Sequence, residues 1–388
     1  MRRTILLLMV FAIPLLTFGT AWPQAREPIR IGALLSLTGP LTVNGEDNLN
    51  GIRLYFEEVG NTLAGRKIEL KIEDDASNPT LALTKVQKLV ERDKVHVVLG
   101  VVSSAVAYAI RDYLHNNKVP TMVTTAGATD LTLARKSPYI FRTANDNTQE
   151  CLVLGYYTAT KLGYKTAVGI AADFAAGREM IAAFSKTYTA AGGKFLKQVY
   201  TPLGTTDFAP YLTQIKQDEA DVVVAMMYGI DGARLMTQYR EYGLRKPVVG
   251  QGALISNDVI KASGNASLGV ITSKQYTDAL DTPANRQFVN AFLKEHKTRP
   301  DAWSEQAYVG AKAIGEAIKA VGGNIEDTSR FLEALRKVKF QGPAGTVFFD
   351  QNQQRVNDVY IRKVEQEGNT LVNKPIDKFP NVSQSWTP

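Results

Sequence analysis

Short apolar, β-branched runs alternate with amphipathic stretches along most of the chain, a pattern that predicts parallel sheets covered by helices on both faces. Ile29 to Ser36, Lys67 to Glu73, His96 to Gly100 and Pro120 to Thr124 read as strands, with helices at Glu46 to Val59 and Leu81 to Arg92. After Tyr139-Ile140-Phe141-Arg142 the pattern starts again. Helices at Thr148 to Leu162, Gly177 to Ala191, Phe208 to Gln217 and Asp231 to Tyr242 interleave with strands at Thr166 to Ala171, Lys194 to Tyr200, Ala220 to Met226 and Pro247 to Gly250. The last third gives helices Ala284 to His296, Ser304 to Ala320 and Ile325 to Val338, then strands Thr346 to Phe349 and Val359 to Val364. Two similar halves in series predict an α/β fold of two doubly wound parallel-sheet lobes. Ligands of such sheets sit where the carboxyl ends of the strands face a cleft.

Two strand-to-helix turns carry candidate chemistry. His96-Val97-Val98-Leu99-Gly100 runs into Val101-Val102-Ser103-Ser104, and Pro120-Thr121-Met122-Val123-Thr124 runs into Thr125-Ala126-Gly127-Ala128-Thr129-Asp130. In each, small hydroxyl residues follow a buried strand and are expected to open an amphipathic helix, so that N–H groups and hydroxyls converge on a point suited to a carboxylate. Helix capping explains either turn alone. Two on neighbouring strands of one sheet point to a ligand site.

The amino terminus adds a destination. Met1-Arg2-Arg3 followed by apolar Thr4 to Thr17, with Gly19 and Ala21 placed for cleavage, has the layout of a secretory signal spanning residues 1–21. The apolar stretch falls short of the about 20 residues that spanning a bilayer takes. Cys151 is the only cysteine, so no lipid-bearing cysteine follows the cleavage point and no intrachain disulfide forms. The expectation is a monomeric soluble protein of the periplasm. Loss of Arg2 and Arg3 lowers the formal charge from +7 to +5, and the remaining cations are dispersed, which argues against nucleic acid. The length exceeds what one core usually holds.

Several segments are similar to the branched-chain amino-acid type of ABC-transporter substrate-binding protein: Leu35-Ser36-Leu37-Thr38-Gly39-Pro40, Ser103-Ser104, Gly127-Ala128-Thr129, Phe141-Arg142-Thr143, Thr205-Thr206-Asp207-Phe208 and Asn381-Val382-Ser383-Gln384. The resemblance implies a type I periplasmic binding fold with three crossovers, near Thr143, Ile271 and Phe349. It gives a first lobe of residues 26–142 plus 272–348 and a second of 143–271 plus 349–388. It also implies membrane permease subunits as partners. By the same resemblance Ser104, Gly127 and Thr129 hold a ligand carboxylate, with Val102, Ser103 and Ala128 beside them. Tyr228 closes over the ligand, Trp303 lines its pocket, and the loop Gly39 to Gly45 contributes Asn44. Phe174 lies at another second-lobe turn facing the cleft, where Ala176 stands in place of a frequent tyrosine.

One departure shapes the choice of ligand. Leucine-type binders have a glutamate for the ligand ammonium just after the strand ending near Gly250, where this chain reads Gly250-Gln251-Gly252-Ala253, so that Gln251 is the expected ligand contact there. An unpaired buried ammonium costs about 3–5 kcal/mol. Asp173, Asp231 or Glu305 could supply that charge from elsewhere. The favoured ligand is therefore a small carboxylate without an amine on an aromatic or hydrophobic body, a class that some relatives serve. Burying an aromatic ring contributes on the order of 4–6 kcal/mol. Branched-chain or other hydrophobic amino acids, then short amides, are the alternatives.

Other chemistries find little support. Cys151 reads as a buried, inert thiol. His96, His115 and His296 show no metal-ligand spacing, and no cofactor is expected. Neither serine lies in a G-x-S-x-G elbow, so an exported hydrolase is disfavoured; a sensory module is the third reading. Arg178 and Lys274 read as solvated or structural cations, either of which could instead meet a second polar group on the ligand. The Thr205-Thr206-Asp207 stretch reads as a helix cap.

Overall fold

The computed structural model describes residues 26–216 and 219–388; the signal expected at residues 1–21 lies outside them. The chain first lays down β1 (Ile29–Leu35), α1 (Thr42–Glu58), β2 (Thr62–Leu63), β3 (Arg66–Asp74), α2 (Pro79–Gln87), β4 (Val97–Gly100), α3 (Ser104–Asn116), β5 (Thr121–Val123) and β6 (Ile140–Arg142). These strands form one sheet in the order β2-β3-β1-β4-β5-β6, parallel throughout except for the short β2. Alternation along β1 feeds two cores. Ile29, Ile31, Ala33 and Leu35 pack on one face of the sheet and Leu34 on the other, beneath α2 and α3.

The second lobe follows as α4 (Gln149–Thr160), β7 (Thr166–Ala172), α5 (Ala175–Ala190), β8 (Lys194–Thr201), α6 (Ala209–Lys216), β9 (Val222–Met226), α7 (Gly229–Glu241), β10 (Val248–Gln251), α8 (Asn257–Ser263) and β11 (Ile271–Lys274). The chain then returns to the first lobe. α9 (Pro283–His296), α10 (Ala302–Ala320) and α11 (Thr328–Arg336) bury Phe288, Ile314 and Phe331 against the β1 face, followed by the hairpin β12 (Lys339–Gly342) and β13 (Gly345–Phe348). A last crossing leads to β14 (Asn357–Glu367) and β15 (Thr370–Val382), which complete a sheet ordered β15-β14-β11-β10-β9-β7-β8. The first and third crossings run side by side: Arg142 N–H donates to Gln353 O and Arg355 N–H to Arg142 O, both at 3.0 Å.

Three expectations about elements change. The turn after β5 opens no α-helix, only a 3-10 turn over Thr129–Thr132, because the buried Arg142 guanidinium draws in Ala128 O at 2.6 Å and Thr132 Oγ1 at 2.6 Å. α1 begins at Thr42, so Asn44 stands inside a helix and not in the preceding loop. The chain stays with the second sheet through Lys274, past the expected crossing near Ile271.

Candidate functional site

Each sheet has a point where its strand order reverses, beside β1 and β4 in the first and β7 and β9 in the second. The carboxyl ends of these strands carry the Val101–Ser104 turn, Phe174 and Tyr228. Such reversal points open crevices that hold ligands.

The two first-lobe turns meet. Val101 has a φ of +65°, a left-handed conformation that costs a β-branched residue about 1–3 kcal/mol. Its neighbours hold it there: Val101 N–H donates to Leu34 O at 2.7 Å, and Val101 O accepts from Ala126 N–H at 2.9 Å. The latter bond ties one turn to the other. Ser104 opens α3 and Ser103 flanks it, with a hydroxyl that does not cap the helix. The N–H of Ser104, at a helix start, has no intrahelical acceptor.

Arg142 lies fully buried beneath the second turn. Its guanidinium holds the carbonyls of Ala126 and Ala128 at 3.4 and 2.6 Å, so the trans peptides direct the N–H groups of Gly127 and Thr129 the opposite way. Neither of these N–H groups has an acceptor among the described residues. A cation below and free N–H groups above make an anion-binding corner. Ala128 is buried in that corner. Gly127 fits closely there: a Cβ would stand 2.3 Å from Asn147 Oδ1 and force that side chain to move. One anion already reaches the corner from the opposite lobe: Glu179 on α5 accepts from Thr129 Oγ1 at 2.7 Å and Asn147 Nδ2 at 2.8 Å.

Asn48 joins this corner to α10. Its carboxamide bonds Thr125 Oγ1 at 2.6 Å, Thr124 Oγ1 at 2.9 Å and Trp303 O at 3.4 Å. Asn44, one helical turn earlier and also buried, shares the Asn48 face of α1. Val102 and Trp303 are also buried. On the second lobe, Phe174 and Tyr228 meet edge-on with centroids 5.5 Å apart, and Tyr228 OH reaches Met180 Sδ at 3.1 Å. Burial first, then the nearby Cys151, Glu179 and Glu150, pushes the Tyr228 phenol well above its ordinary pKa. It stays a neutral hydrogen-bonding group.

The position after β10 is occupied differently from the sequence expectation. Gln251 spends both polar ends inside the protein, its Oε1 accepting from Ala253 N–H at 2.7 Å and its Nε2 donating to Glu150. Glu150, near the start of α4 and fully buried, also accepts from Asn145 Nδ2 and Gln275 N–H, each at 2.9 Å. Its counter-ion is Lys274 at the end of β11, with Nζ 3.6 Å from Glu150 Oε2 and 5.9 Å from the Trp303 ring centroid. Lys274 is thus buried and not solvated. The three acids considered from sequence as substitutes are engaged elsewhere. Asp173 pairs with Arg178 at 2.9 Å on the surface, Asp231 accepts from Gly204 N–H at 2.7 Å, and Glu305 takes both ends of Arg355 at 2.9 and 3.0 Å.

Glu150, Glu179 and Asn48 escaped the sequence reading. A signal existed for Glu150, a lone acid opening the apolar helix Cys151-Leu152-Val153-Leu154. Cys151 is buried, and its thiol is pushed well above its usual range by that burial. Asp207 Oδ1 accepts from Ala209 N–H at 2.9 Å, which makes that stretch a helix cap.

Residues 28–369 match the family described as periplasmic binding protein. This chain belongs to that family. Among its solved relatives is an ABC transporter substrate-binding protein from Sphaerobacter thermophilus, 40% identical, with a TM-score of 0.89 over 92% of this chain and 99% of the other. A solute binding protein of an ABC transporter from Rhodopseudomonas palustris BisB5, in complex with 3,4-dihydroxy benzoic acid, is 32% identical with a TM-score of 0.88 over 92% of this chain and 99% of its own. A Leu/Ile/Val-binding protein homolog 6 of Brucella melitensis is 28% identical over 91% of this chain and 92% of its own length. These periplasmic binding proteins serve transport and are not enzymes. In this member no helix among the described residues is long and apolar enough to cross a membrane.

Proposed function

We propose that this protein is the solute receptor of an ABC importer, exported by its cleaved leader and presenting an aromatic acid to membrane permease subunits. The ligand carboxylate takes the free N–H groups of Gly127 and Thr129 and the hydroxyls of Ser103 and Ser104. Phe174, Tyr228 and Trp303 enclose its ring, and Asn44 borders it.

The observation that carries this choice is the engagement of Glu150. This fully buried carboxylate beside Gln251 already accepts from Asn145, Gln251 and Gln275 and faces Lys274, so a ligand ammonium finds no free acid there. The ligands named for relatives agree: 3,4-dihydroxy benzoic acid, benzoate and 4-hydroxybenzoate. The amino-acid reading draws on the Leu/Ile/Val-binding names of other relatives and is the second choice.

Binding begins on the first-lobe corner, and the second lobe then closes about the three crossings. A ligand shifts that equilibrium only through interactions it makes in the closed form alone, here those with Phe174 and Tyr228. The test is calorimetric titration of benzoate, 4-hydroxybenzoate and leucine into the protein and into the double variant Ser103→Ala, Ser104→Ala. Hydrogen bonds to a charged group contribute about 1.5–3 kcal/mol each, so loss of both lowers affinity for the acids by at least about a hundredfold. Unchanged affinity removes these hydroxyls from the site, and tighter binding of leucine than of either acid overturns the ligand class.

A further inference from the structure

The Lys274 side chain is buried, at 7% exposed, yet its ammonium makes no hydrogen bond within 3.5 Å among the described residues. Its charged neighbour, Glu150, stands at 3.6 Å, and that carboxylate also accepts from three other donors, two on Oε1 and one on the Oε2 that faces the ammonium. The Nζ atom is nevertheless not among the sealed, unpartnered side-chain atoms, so its N–H donors, only loosely held by Glu150, stay open to an acceptor that replaces water there. The ammonium is also placed toward the cleft. It lies at the carboxyl end of β11, where its stem packs on Gly252 just past β10, and faces the Trp303 ring at 5.9 Å. The backbone of Trp303 is tied through Asn48 to Thr124 and Thr125, which belong to the anion-binding corner. Trp303 thus spans the distance from that corner to Lys274.

We infer that Lys274 forms a second pole of the binding site, donating from Nζ to an oxygen substituent on the ligand ring remote from its carboxylate. This rests on the aromatic-acid reading above and narrows it to aromatic acids carrying a ring hydroxyl. Glu150 is a positioning residue that fixes the ammonium beside Trp303. The same cation disfavours any ligand that would place an amine there.

The experiment is titration of benzoate, 4-hydroxybenzoate and 3,4-dihydroxybenzoate into the wild-type protein, Lys274→Met and the double variant Glu150→Gln, Lys274→Met. The double variant removes both charges, so it leaves no buried carboxylate without its cation if the single variant folds poorly. Wild type is expected to bind a hydroxylated acid at least about tenfold more tightly than benzoate, the value of one charge-assisted hydrogen bond, and the ratio collapses towards one in the variants. A ratio that persists in the double variant overturns the inference, as does a wild type that binds benzoate as tightly as both hydroxylated acids. Failure of all three acids to bind wild type overturns the aromatic-acid reading itself, an outcome visible before any variant is made.

Discussion

Arg355 and Glu305 form a bidentate pair at 2.9 and 3.0 Å, with side chains 1% and 0% exposed. Removing one partner strands the other charge in a low-dielectric interior. Glu305→Gln is therefore expected to destabilise the protein by about 3–5 kcal/mol, read by chemical denaturation. Such pairs are hard to see in sequence, because position 355 lies in the last crossing and position 305 in α10. The same holds for Glu150 and Lys274, which meet only where α4 abuts the ends of β10 and β11. The turns at Ser103–Ser104 and Gly127–Thr129 were legible because each is a local pattern, a buried strand run followed by small polar residues. The use that Glu179 makes of the Thr129 hydroxyl was not, since it depends on how the lobes meet.

At the scale of elements, α1 and α10 pack unusually closely. A Cβ on Gly51 would stand 2.2 Å from Ser304 O, so the helix backbones touch at this point. Gly51→Ala forces them apart and is expected to cost about 1–3 kcal/mol, seen as a melting temperature lowered by several degrees in a thermal scan. Helix α10 also carries Trp303 in its first turn, so the variant should weaken ligand binding as well. Elements with strong periodicity, such as β1, α5 and α9, matched their sequence reading to within a few residues. β15 was missed because it is an edge strand with alternating exposed positions and two internal prolines, Pro375 and Pro380. α8 was missed because seven residues give too few turns for a periodic signal.

For the whole molecule, the balance between open and closed forms depends on what crosses the cleft. Glu179 bridges the lobes through Thr129, at 2.7 Å, and through Asn147, at 2.8 Å at the first crossing. Glu179→Ala removes that bridge and is expected to raise the radius of gyration of the ligand-free protein in small-angle scattering, with saturating ligand restoring the wild-type value. Equal radii for the ligand-free variant and wild type would show that the bridge does not bias closure. The two-lobe plan was legible from the restart of the strand-helix pattern after Arg142, whereas the interleaving of late helices with early strands required the structure.

That interleaving orders events during synthesis. All six strands of the first sheet have been synthesised once Arg142 is added, with α1 already on the β1 face, but the rest of that face's cover arrives only with Pro283–Arg336. Domains ordinarily mature one after another as a ribosome releases them. Here the first sheet waits with one face only partly covered until α11 is made, so the lobe begun first is completed late in translation.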